Sequence, residues 1–89
     1  MRIRIKVNGR VQGVGFRYFL RTAATERALT GWARNCSNGT VECVVQGEET
    51  VLQNFVSYIE TGHAWAKVVE IIQERCPEIQ GEPTFEIRH

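Results

Sequence analysis

The apolar residues of this chain change period across one glycine-rich segment, and that change dictates the order of the first two elements. Ile3, Ile5 and Val7 alternate with Arg2, Arg4 and Lys6, the spacing of a strand buried on one face. Beyond Asn8 to Gly15, Phe16, Phe19, Leu20, Ala23 and Ala24 recur at helical spacing while Arg17, Arg21 and Glu26 fall elsewhere. A helix from about Phe16 to Ala28 is predicted, with Gly31 breaking its pattern. The glycines between the two periods therefore stand at a strand-to-helix junction.

The remaining elements follow from turn chemistry and alternation. Trp32 to Asn35 leads into Asn38-Gly39, a dipeptide suited to the left-handed dihedrals of a tight hairpin, so a second and a third strand should pair across it. Val41, Cys43 and Val45 are expected to face inward, with Glu42 and Val44 on the exposed face. Thr50-Val51-Leu52-Gln53 reads as a capping box, followed by a helix with Val51, Leu52, Phe55, Val56 and Ile59 inward and Gly62 as its stop. Ala64 to Glu74 fits a helical stripe through Trp65, Val68, Val69 and Ile72, but its density of β-branched residues favours a fourth strand. Pro77, Gly81 and Pro83 mark a loop, and Thr84 to Arg88 supplies a short edge strand with Phe85 and Ile87 inward.

The order β-α-β-β-α-β with a short extra C-terminal strand predicts an α+β, ferredoxin-like sandwich with two helices on one face of an antiparallel sheet. With 89 residues, one domain over 1–89 is expected, since neither half of so short a chain could bury a core alone.

Composition narrows the function classes. A net charge of +1 gives no general attraction to nucleic acid or anionic membrane, so any anion must be captured locally. The opening Met1 to Lys6 interleaves charge with apolar residues and lacks the apolar run of a signal peptide, and no stretch approaches the roughly 20 apolar residues of a membrane span. A cytoplasmic protein and a monomer are expected. Cys36, Cys43 and Cys76 lack CxxC spacing and have only His63 and His89 to join them, so reduced thiols and no metal or other cofactor are expected. The two glycosylation sequons, at Asn35 and Asn38, are read as coincidence.

Chemistry concentrates in two segments. In Gly9-Arg10-Val11-Gln12-Gly13-Val14-Gly15-Phe16-Arg17, glycines let successive amides face one point, and a helix N-terminus adds unpaired amides and a favourable dipole. Arg17 in the first helical turn opposes that dipole unless it binds an anion with its planar fork. Taken alone, the segment reads first as a sharp turn beside a solvated arginine, because a lone glycine-rich turn is a weak signal. It is neither a GxGxxG fingerprint, because Tyr18 stands where a glycine is needed, nor a GxxxxGK[ST] loop. In Gly31-Trp32-Ala33-Arg34-Asn35, the Asn35 carboxamide could orient water beside strand one, or simply begin the hairpin turn. Trp32 is expected in the core.

Val11-Gln12-Gly13-Val14-Gly15-Phe16-Arg17, then Gly31-Trp32-Ala33-Arg34-Asn35, Gly39-Thr40-Val41-Glu42 and a terminal Phe85-Glu86-Ile87-Arg88 together resemble the acylphosphatase family over essentially the whole chain. The resemblance implies a metal-independent hydrolase of acyl phosphates. It implies that the amides of Gln12, Gly13, Val14, Gly15, Phe16 and Arg17 cradle the phosphate, that the Arg17 guanidinium clamps it, and that Asn35 positions the attacking water. The partners it implies are a small acyl phosphate and inorganic phosphate, with no nucleic acid and no membrane. One departure is visible: the family usually carries Gly-Pro after the second helix, where this chain reads Gly62-His63-Ala64-Trp65, and His63 is expected as a surface loop residue.

Two other classes compete. A non-catalytic module binding phosphate or carbamoyl phosphate is suggested by the related N-terminal domain of hydrogenase-maturation proteins, which belongs to much larger chains. Single-stranded RNA binding on the open sheet is disfavoured by the missing RNP1 pattern and the lack of aromatic residues on strand three.

Overall fold

The computed structural model describes residues 1–89. Its elements are β1 (Arg2–Arg10), α1 (Phe16–Glu26), β2 (Thr30–Asn35), β3 (Val41–Gln46), α2 (Glu49–Thr61), β4 (Lys67–Cys76) and β5 (Phe85–Arg88). The strands form one sheet in the order β4-β1-β3-β2-β5. The first four pair antiparallel, whereas β5 lies parallel to β2, so the sheet is mixed. This is the ferredoxin-like sandwich the element order requires. No helix is long and apolar enough to cross a membrane.

A single core joins Ile3, Ile5 and Val7 of β1 and Val41, Cys43 and Val45 of β3 to Phe16, Leu20, Ala23 and Ala24 of α1 and Leu52, Phe55, Val56 and Ile59 of α2. Fully burying a side chain the size of Phe16 or Phe55 contributes roughly 1.5 to 3 kcal/mol, so these periodic positions set the fold. The three cysteines are free thiols, and burial pushes the Cys43 thiol pKa well up.

Several local expectations are corrected. Strand two does not lie beside strand one, because β3 sits between them. Glu42 and Val44 are buried although they face away from the helices. Glu42 accepts from Arg34 Nε at 2.7 Å and faces Arg4 Nε at 3.4 Å, while Val44 lies between Trp32 and Arg4 across the strands. Trp32 also belongs to this outer face rather than to the core, and the Arg88 guanidinium stacks 4.5 Å from its ring centroid. Long basic side chains thus cover the outer face of the sheet while staying about half exposed themselves.

The helix ends differ too. α1 stops at Glu26, and Ala28 turns the chain with a left-handed φ of 55°. Its N–H donates to Thr25 O and the Leu29 N–H to Ala24 O, a Schellman closure built without glycine. Gly31 instead lies within β2, where a Cβ would stand 1.9 Å from the Val44 carbonyl oxygen. α2 has no capping box: the N-cap is Glu48, whose side chain accepts from no helix amide but from the hydroxyl of Thr50 inside the first turn. Acidic Glu49 suits that end of the dipole. At the hairpin only Gly39 is left-handed, with Cys36 and Thr40 closing the loop.

The connection from β4 to β5 must travel from one sheet edge to the other. It is held by reciprocal bonds between the Gln46 carboxamide and the Ile79 backbone, at 2.9 and 3.0 Å, and by a bidentate Arg2–Glu82 pair at 2.9 and 3.2 Å. These bonds fix where β5 runs, and β5 reaches the candidate site.

Candidate active site

Gly13 and Gly15 both adopt left-handed dihedrals, at φ 76° and 74°, a conformation that costs other residues roughly 1 to 2 kcal/mol. They curl the chain from β1 into α1, with Gly15 as N-cap. The first helical bond runs from Phe19 N–H to Gly15 O, leaving the amides of Phe16, Arg17 and Tyr18 without helical partners. No acidic residue occupies the first turn, so nothing in the helix neutralises its positive end.

A cleft of about 120 Å³ opens at this point, lined by Val11, Gly13, Gly15, Phe16, Arg17, Tyr18 and Asn35. A liquid water occupies about 30 Å³, so the cleft suits a small anion and little more. A Cβ built on Gly13 or Gly15 would meet nothing within 4 Å, and the glycines therefore leave the mouth open.

Of the residues singled out in the sequence, the cleft brings together Gly13, Gly15, Phe16, Arg17 and Asn35 from two distant segments. Val14 packs partly against the core, and Gln12 directs its carboxamide to the β2–β3 hairpin. Sequence reasoning missed Tyr18, whose position as third residue of the helix was its only signal. It also missed the C-terminus: Arg17 Nη1 donates to the Arg88 carbonyl at 3.0 Å and lies 3.4 Å from His89 Nδ1. One partner is a backbone carbonyl and the other an imidazole nitrogen, and Arg17 pairs with no carboxylate. Its charge is held in place without being cancelled.

Arg34 contrasts with it. Adjacent to Asn35, it is bound to Glu42, whose hydrogen bond raises its pKa further, and it is taken up by the sheet's outer face. His63 is no free surface residue either: it is half-buried against Phe16 and Phe19, and its Nδ1 accepts from the amides of Trp65 and Ala66. These bonds shape the turn that follows Gly62, where the family this sequence resembles usually carries a proline.

A larger, open cavity of about 480 Å³ lies at the far ends of the helices, lined by Glu26, Arg27, Ala28, Thr50, Val51 and Asn54. Its cation is already engaged, Arg27 donating to Asn54 Oδ1 and Ala23 O and stacking on Tyr58. Size alone therefore does not select it. No three His, Cys, Asp or Glu side chains stand together as a metal site.

A ferredoxin-like domain whose open helix N-terminus, one guanidinium without a carboxylate partner and one carboxamide meet at a small cleft defines the class. The acylphosphatase family model matches residues 3–87. The chain is 48% identical to the acylphosphatase of Clostridium beijerinckii over 93% of its own length and 92% of that protein's. Its structure is similar to the crystal structure of the Bacillus subtilis acylphosphatase, at a TM-score of 0.93 and 41% identity, covering 99% of this chain and 98% of the other. It is also similar to part of HypF from T. kodakarensis, at a TM-score of 0.88 and 28% identity, covering all of this chain and 12% of that one. The chain belongs to the acylphosphatase family. It is an enzyme of that kind.

Proposed function

We propose that the protein hydrolyses acyl phosphates to a carboxylate and inorganic phosphate without a metal, using Arg17 and Asn35. The amides of the loop from Gln12 to Arg17, with the N-terminus of α1, hold the phosphate, and the Arg17 guanidinium clamps it through its fork. The Asn35 carboxamide orients a water for in-line attack on phosphorus. As the water oxygen bonds to phosphorus, the bond to the acyl oxygen breaks and its electron pair leaves with the carboxylate. A phosphate oxygen takes the proton from the water.

That chemistry needs little beyond positioning and charge stabilisation, because a carboxylate already leaves readily. The observation carrying the reading is the meeting of Arg17, Asn35 and the open helix N-terminus in one anion-sized cleft. The same cleft has no carboxylate pair or histidine among its lining residues, and the reaction written above requires none.

The likeness to a segment of a far longer chain favours one second reading, a module that binds phosphate or carbamoyl phosphate without turnover. Turnover of acetyl phosphate and of a phosphate monoester, both in chelator, separates the two. Rapid cleavage of the acyl phosphate alone is expected. Phosphate binding in a calorimeter with no cleavage would establish the module instead.

A further inference from the structure

The Gln12 side chain lies in the phosphate loop by sequence yet is committed elsewhere. Its Nε2 donates to the carbonyl of Cys36 at 2.8 Å and to that of Thr40 at 2.9 Å. Those two residues close the β2–β3 hairpin: the Cys36 N–H donates to Thr40 O at 2.8 Å, and the Gly39 N–H to Cys36 O at 3.1 Å. Each closing carbonyl accepts one bond from the hairpin backbone and a second from Gln12, which fills both of its lone pairs. Because both partners are acceptors, only the nitrogen end of the carboxamide can face them. No side-chain N–H is left to donate to a phosphate, and Oε1 is an acceptor that would repel one.

The bonds matter because of where Asn35 stands. It is the last residue of β2, immediately before Cys36 and paired with Val41. The loop issues from β1, and β3 separates β1 from β2. The ladder thus ties Asn35 to the loop only through an intervening strand, whereas Gln12 ties the loop straight to the residue after Asn35.

We infer that Gln12 is a positioning residue for hydrolysis: its carboxamide sets the spacing between the loop that holds the phosphate and the Asn35 carboxamide that holds the water. The inference rests on the roles proposed above for Arg17 and Asn35. Misplacing a reacting group by about 1 Å costs on the order of 100-fold in rate. Loss of both bonds should therefore act on kcat, while the loop amides and Arg17 continue to bind phosphate.

The test uses the full chain, acetyl phosphate as substrate and inorganic phosphate as competing ligand, with Gln12→Leu, Asn35→Ala and the double variant. Gln12→Leu is expected to lower kcat by about 10- to 100-fold and to leave phosphate affinity within about twofold. In the Asn35→Ala background the same substitution should change kcat by less than about twofold, since the residue it positions is gone. A parallel fall in phosphate affinity, or an equal loss of kcat in both backgrounds, would overturn the positioning role. Full turnover by Asn35→Ala alone would remove the underlying assignment and this one with it, and that outcome is read separately from the Gln12 result. If Gln12→Leu does not fold, Gln12→Glu keeps the shape. Ionised, it donates nothing; protonated, it regains one donor. Its kcat relative to wild type should rise as pH falls and the carboxyl, disfavoured as an anion by the two carbonyl oxygens, takes up its proton, and a flat ratio would contradict the inference.

Discussion

The Arg17 guanidinium donates to the main-chain carbonyl of Arg88 at 3.0 Å, so the cation proposed to clamp the substrate is held by the last strand of the sheet. Freely rotating, an arginine side chain carries up to about 2 kcal/mol of rotamer entropy that binding must offset. A backbone carbonyl restrains it without neutralising it, as a carboxylate would.

Removing Arg88 and His89 should release that restraint. The KM for an acyl phosphate is expected to rise up to about tenfold, since 1.4 kcal/mol corresponds to a factor of ten. Steady-state kinetics on the shortened chain, with circular dichroism as a check on folding, measures this. An unchanged KM would show that the contact does not preorganise Arg17.

Two left-handed residues should respond in opposite senses. Gly15→Ala puts a Cβ on an N-cap at φ 74° and should cost about 1 kcal/mol or more, although the Cβ itself meets nothing within 4 Å. Ala28→Gly relieves the same penalty at φ 55° and should raise stability by up to about 1 kcal/mol. Urea unfolding of both variants measures the pair, and only Gly15→Ala should also weaken phosphate binding.

Acid should loosen the connection that carries β5. The hydrogen bond from Arg2 holds the Glu82 carboxyl below its ordinary 4.5, so the folded state binds that proton less readily than the unfolded chain does. The stabilisation is fully present above 4.5 and is lost as pH falls from there through the lower folded value. Glu82→Gln should cost about 1.5 to 3 kcal/mol at pH 7 and should flatten the acid limb of a stability-against-pH curve. An acid limb identical to wild type would contradict the assignment.

The sequence made the main architecture legible where one physical signal dominated. Alternation at Ile3, Ile5 and Val7 and helical spacing from Phe16 to Ala24 reported burial directly, and both survive in the core. The density of β-branched residues in β4 outweighed its false helical stripe, because β-branching suits a pleated surface. Local signals failed where tertiary partners decided. Trp32 looked like a core residue, but its strand directs it to the face that Arg88 covers. Thr50 and Gln53 matched a capping pattern two residues too late for a helix that begins at Glu49 with Glu48 as its N-cap. Glu42 and Val44 alternated outward as expected and are buried all the same, Glu42 by Arg4 and Arg34 and Val44 between Arg4 and Trp32.

In the site, the motifs named Arg17 and Asn35, and the cleft contains both. The contacts that fix them were invisible. Gln12 meets carbonyls 24 and 28 residues away, and Arg17 meets one 71 residues away, through backbone atoms that carry no side-chain signature.

Phosphate binding and turnover measured side by side in Arg17→Gln and Asn35→Ala test the division of labour most directly. Arg17→Gln should lose both together, because the clamp serves ground state and reaction alike. Asn35→Ala should keep the phosphate affinity of wild type and lose most of kcat, because only the water is misplaced. Full turnover in either variant, with the fold intact, would contradict the account.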